Sequence, residues 1–139
     1  MRYLIDTSII VEIDRHNHEV IRTLTKLLEN GHELIISTIT VAEILTGSYL
    51  RKDAKVAALT AKEVLNQFLW KDIDGLTADI TAKIYAQLII EKKHHSIEYA
   101  DVLIAATCIS SHCDKLMTLN KKDFSLIPSI SIVSPNEIK

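Results

Sequence analysis

Three short runs of continuous apolar residues each give way at once to residues that start helices, and this pattern limits the chain to few architectures. Tyr3-Leu4-Ile5 runs into Asp6-Thr7-Ser8, Leu34-Ile35-Ile36 into Ser37-Thr38, and Lys115-Leu116-Met117-Thr118 into Leu119-Asn120. Apolar residues then return at helical spacing, as at Val20, Ile21, Leu24, Leu27 and Leu28 before Gly31. Strands read as unbroken apolar runs are buried on both faces. Strands alternating with amphipathic helices give a parallel sheet covered on each side. The expected elements are strands near 3–5, 34–36, 70–73, 115–118 and 130–133. Helices are expected from Ser8 onward, over 19–29, from Thr38 to about Gly47, over 53–69, from a Thr77 cap to about Lys93, and from Ser96 or Ile97 to Ile109. A short turn of helix is expected over Lys121–Phe124. The fold class is therefore α/β, three-layered, with a central parallel sheet of four to five strands. At 139 residues the chain fits one domain spanning 1–139.

Charge narrows the function classes. The net charge is −2 and the pI about 6.3, so electrostatics alone does not hold nucleic acid here. Cys108 and Cys113 lack a second ligand pair for zinc and read as buried or half-buried thiols. The first residues carry a charge too early for a signal peptide, and no apolar stretch reaches the roughly 20 residues of a membrane span. A cytoplasmic location is the expectation.

In open α/β sheets, chemistry lies beyond the C-terminal strand ends. Asp6 stands there, either as a helix N-cap or as a functional acid. Glu43 sits among apolar neighbours in a helix, where an acid needs a partner or a metal unless it lies on a wet rim. Asp101 opens a helix, where the dipole alone would favour it. Asn120 and Asp123 follow the fourth strand, with Phe124 as an anchor and Thr118 able to bond a nearby acid. Carboxylates drawn to one edge repel by about 3 kcal/mol per pair at 5 Å and a dielectric near 20. Cations or protons must then neutralise them, and oxygen donors without clustered thiol or imidazole select Mg²⁺ or Mn²⁺.

Leu4-Ile5-Asp6-Thr7-Ser8, Ala42-Glu43-Ile44-Leu45-Thr46-Gly47, Asp101 to Thr107 and Thr118 to Phe124 resemble, in order and spacing, the motifs of PIN-domain proteins. The VapC-type toxins of toxin–antitoxin pairs are the nearest likeness, over residues 3 to about 133. The resemblance implies a Mg²⁺- or Mn²⁺-dependent endoribonuclease, a homodimer and a small antitoxin that blocks the site. It carries the metal-binding acids onto Asp6, Glu43 and Asp101. The family often has Asp where Asn120 stands, and Asp123 is the substitute. The implied reaction is phosphodiester hydrolysis, with one ion between Asp6 and Asp101, Glu43 as ligand or base, and a second ion near Asp123. Thr7, Ser8, Thr118 and Asn120 would orient carboxylates and phosphate oxygens. Lys121 and Lys122 read as phosphate contacts or as a solvated turn. Lys92, Lys93, His94 and His95 read mainly as a solvated helix end. Three alternatives stay open, namely a catalytically silent PIN domain that binds protein or RNA, a non-toxin RNA-processing nuclease, and a receiver-like phosphoacceptor.

Overall fold

The computed structural model describes residues 1–138. Five parallel strands form one sheet in the order β3-β2-β1-β4-β5. They are β1 (Arg2–Ile5), β2 (Glu33–Ser37), β3 (Leu69–Lys71), β4 (Lys115–Met117) and β5 (Ile132–Val133). β1 lies in the middle, its Leu4 paired in register with Ile35 on one side and Leu116 on the other. Pleating sends alternate residues to opposite faces. Tyr3 and Ile5 therefore join one core with Leu34 and Ile36, and Leu4 joins the other with Ile35 and Leu116.

Seven helices complete the layers: α1 (Thr7–Asp14), α2 (His18–Glu29), α3 (Thr38–Tyr49), α4 (Ala54–Leu65), α5 (Gly75–Ile90), α6 (Tyr99–Ser110) and α7 (Lys121–Phe124). The first core takes Ile9 and Ile10 of α1, Val20, Leu24 and Leu27 of α2, and Leu65 of α4. The second takes Leu88 of α5, Val102, Ile104 and Ala105 of α6, and the fully buried Phe124. Three of the helix starts are capped by side chains. Asn17, Ser37 and Asp74 accept the backbone N–H of Val20, Ile39 and Thr77. Gly31, at φ 81°, supplies the left-handed residue that ends α2, as its position after the apolar repeat foretells.

Four helix boundaries differ from the sequence reading. The helix expected over 53–69 ends at Leu65, and its inner face is Ala58, Ala61 and Leu65. Val56 and Leu59, although apolar and at helical spacing, are more than half exposed, and Leu69 begins β3. The next helix starts at Gly75 on an Asp74 cap rather than at Thr77. It stops at Ile90, with Lys92 at φ 58° just beyond, and Thr77 and Thr81 line its buried face while Ile89 is exposed. The sixth helix starts at Tyr99, after a 3₁₀ turn over His94–Ser96. Among the described residues no helix is long and apolar enough to cross a membrane.

Candidate active site

The strand order reverses between β1 and β4, and a cleft of about 420 Å³ opens past their C-terminal ends. Asp6 extends β1 by one residue, its N–H bonded to Met117 O at 3.0 Å. It occupies the N-cap position of α1 but makes no cap bond with its side chain. Its Oδ2 instead accepts hydrogen bonds from Ser8 Oγ and Thr118 Oγ1, each at 2.7 Å. Those hydroxyls accept in turn from the backbone N–H of Leu119 (3.1 Å) and Asn120 (2.9 Å). A buried carboxylate needs such donors, and here they tie the end of β1 to the end of β4. Asp6 is 2% exposed, and its Oδ1 has no hydrogen-bond partner among the described residues.

Glu43 approaches from α3. Thr7 Oγ1 donates to its Oε1 at 2.8 Å, and the Thr40 hydroxyl lies 3.0 Å from that of Thr7. Burial raises the Glu43 pKa, the Thr7 bond opposes the rise, and the charges of Asp6 and Glu98 add to it. Asp101 stands in the first turn of α6. Burial pushes its carboxyl up to about 7, with further contributions from Asp6, Glu98, Glu43 and Asp123. Four acids from four segments thus act on one group. Asp123 and Asn120 line the same cleft, Asp123 on α7 beside the buried Phe124.

Asp6, Thr7, Ser8, Glu43, Asp101, Asn120 and Asp123 all face this cleft, and Thr118 lies buried behind Asp6. Lys121 and Lys122 do not line it. Lys121 Nζ is taken by Glu137 Oε1 at 2.6 Å. Among the described residues no lysine lines the cleft, so they do not supply the cation that a phosphoacceptor site needs. Glu98 was not singled out in the sequence, and His95, read there mainly as part of a solvated helix end, lines the cleft as well. Glu98 precedes Asp101 by three residues, the spacing that puts two side chains on one helical face, and that spacing was the available signal.

The donor set is one that suits a hard cation: five carboxylates, several hydroxyls and an amide, with no thiol. None of the five acids forms an ion pair with Lys, Arg or His among the described residues. Nor, among those residues, are three acidic, imidazole or thiol groups already drawn together as a chelate. A longer groove of about 610 Å³ runs from Thr7 and Glu43 between α1, α3 and α4, past Ile44, Val56 and Val64 to Arg51.

Comparison with known proteins agrees with this geometry. The family profile described as PIN domain matches residues 3–129. A protein named Ribonuclease VapC from Rickettsia bellii is 30% identical over 138 residues, covering 96% of each chain. Ribonuclease VapC19 from Mycobacterium tuberculosis is 33% identical over 127 residues, 91% of this chain and 95% of that one. Among solved structures, VapBC2 from Rickettsia felis bound to a promoter DNA fragment superposes with a TM-score of 0.85 at 25% identity, covering 96% of this chain and 98% of its counterpart. The chain belongs to the PIN-domain family, among proteins of the VapC type.

Proposed function

We propose that this protein is a metal-dependent endoribonuclease and the toxin of a toxin–antitoxin pair. The observation that carries the reading is the convergence of Asp6, Glu43, Glu98 and Asp123 on Asp101 in a cleft without a countercharge. The relatives named ribonuclease, which match nearly the full chain, support it.

Asp6, Glu43, Asp101 and Asp123 would hold Mg²⁺ or Mn²⁺, with Glu98 as an additional carboxylate of the same wall. A bound ion supplies the charge that lets these acids ionise together and polarises the phosphodiester. The chain's own groups do the rest. Ser8 and Thr118 fix one oxygen of Asp6 and leave the other uncommitted. Thr7 holds Glu43 by one oxygen, so the second is available to take the proton of an attacking water. Attack adds the water oxygen to phosphorus and breaks the bond to the 3′ oxygen, which takes a proton from solvent and leaves as a hydroxyl. Asn120 offers an amide to a phosphate oxygen. No three of these groups form a ready chelate among the described residues, so holding an ion would draw the acids together.

The antitoxin belongs to this proposal, since a neighbouring structure is of a VapBC complex. The groove beside Glu43 offers such a partner an apolar path to the cleft. Homodimerisation is likewise part of the proposal, and the apolar residues left exposed on α5 are surfaces it can use.

The test is cleavage of single-stranded and transfer RNA by purified protein with Mg²⁺, with Mn²⁺ and with chelator, beside an Asp6→Asn, Asp101→Asn double variant. Metal-dependent cutting lost in the variant is the expected result. No cutting of any RNA by folded, antitoxin-free protein would replace this reading with a silent binding module.

A further inference from the structure

One wall of the cleft continues into a strip of aromatic rings. His95 lines the cleft. Its ring lies 3.9 Å from that of His94, centroid to centroid. His94 stands edge-on to Tyr85 at 6.3 Å, and Tyr85 edge-on to Tyr99 at 4.9 Å. Aromatic residues make up only 5% of the chain, yet two of its four tyrosines meet here. Tyr85 packs against the second core and backs the strip, while Tyr99 remains 51% exposed. Lys92 and Lys93 are exposed beside it.

We propose that this strip is a stacking platform for the bases of single-stranded RNA, running from the cleft at His95 to Tyr99 as its outermost surface. The inference rests on the cleft being an RNA site. The strip meets a need that the rest of the molecule leaves open. A chain of net charge −2 with five acids in its cleft repels the phosphate backbone, so affinity must come from somewhere other than charge. Base stacking on aromatic rings supplies it, tolerates any sequence and requires unpaired bases. A ring already held by its neighbour loses little freedom when a base lands on it. The two lysines meet the flanking phosphates.

The experiment measures binding of a fluorescently labelled single-stranded RNA by anisotropy, with Ca²⁺ replacing Mg²⁺, on the full chain. Tyr99→Leu keeps the bulk and removes the π face, and Tyr99→Trp keeps the face. The leucine variant is expected to bind roughly tenfold more weakly and the tryptophan variant at least as well as wild type. Double-stranded RNA should show no such difference. With Mg²⁺, Tyr99→Leu should raise KM while leaving kcat unchanged. Equal affinity in wild type and Tyr99→Leu overturns the proposal, as does a wild type that binds no RNA. A change in oligomeric mass in Tyr99→Leu also overturns it, because the strip is then covered by a second copy. Wild-type cleavage indifferent to Tyr99 overturns the platform and leaves the nuclease. RNA binding that depends on Tyr99 without any cleavage overturns the nuclease and leaves the platform.

Discussion

Acidic side chains occupy two regions of this molecule under opposite rules. On the surface about half of them stand beside cations. Glu33 pairs with Arg2, Asp79 with Lys83, and Glu137 with Lys121. In the cleft, Asp6, Glu43, Glu98, Asp101 and Asp123 have hydroxyl partners or one another, and no cation among the described residues. The contrast is sharpest at the C-terminal end of β4. There Lys121 turns to Glu137, while two residues away Asp123 faces the cleft. Surface pairs neutralise locally and contribute little. A cleft that leaves five acids uncompensated among the described residues supports the proposed cation site.

The comparison breaks most readily through activity. Asp6→Asn with Asp101→Asn should lower metal-dependent RNA cleavage on the order of a thousandfold, since charge stabilisation by a metal amounts to several kcal/mol. Lys121→Ala, two residues from Asp123, should leave the rate within about twofold. Equal losses would erase the distinction between the regions.

Stability against pH comes next, and its sign differs between the two. Asp101 has a folded pKa of about 7, raised from an unfolded 3.8. Its contribution to stability is fully present below about 3.8 and is lost as pH rises through 7. Glu137, held near 2 by Lys121 and Ser134, contributes the other way. Its stabilisation is present above the ordinary carboxylate range and is lost as pH falls towards 2. The metal-free protein should therefore lose stability from pH 4 to pH 7 in calorimetry, and Asp101→Asn should flatten that stretch. A slope unchanged in the variant would remove Asp101 as its source.

A smaller effect follows at constant pH. At pH 8, Asp101→Asn should raise the Tm of the metal-free protein by a few degrees, by removing one charge from a repelling set. Mn²⁺ should raise the Tm of wild type and not of that variant. The smallest effect belongs to the surface. Lys121→Ala should shift Tm barely at neutral pH, and high salt should abolish the shift, since exposed pairs are screened.

Much of the architecture was legible because apolar runs and their terminating acids are local signals. Leu4, Ile36 and Leu116 read as doubly buried strand residues and are so. Position past a strand end marked Asp6, Asn120 and Asp123, a helix start marked Asp101 and apolar neighbours marked Glu43, and all five line one cleft. α4 shows where periodicity fails. It carries a stripe of large apolar residues and a stripe of alanines, and the core takes the alanines because α3 packs closely there. Spacing cannot tell which of two apolar stripes faces inward. Phe68 and Leu69 continue the helical rhythm past Leu65 but belong to the turn and strand that follow. Glu98 was passed over because it is exposed at the start of α6, with nothing local to mark it as part of a cleft wall. Its significance comes only from the fold that sets Asp6 and Glu43 opposite.

Calorimetric titration of the metal-free protein with Mn²⁺, beside the Asp6→Asn, Asp101→Asn variant, tests the central claim most directly. Saturable binding that releases protons near pH 7 and is lost in the variant is the predicted result. Binding that persists unchanged in the variant, or no saturable binding by the folded wild type, would contradict a cation site built by the cleft acids.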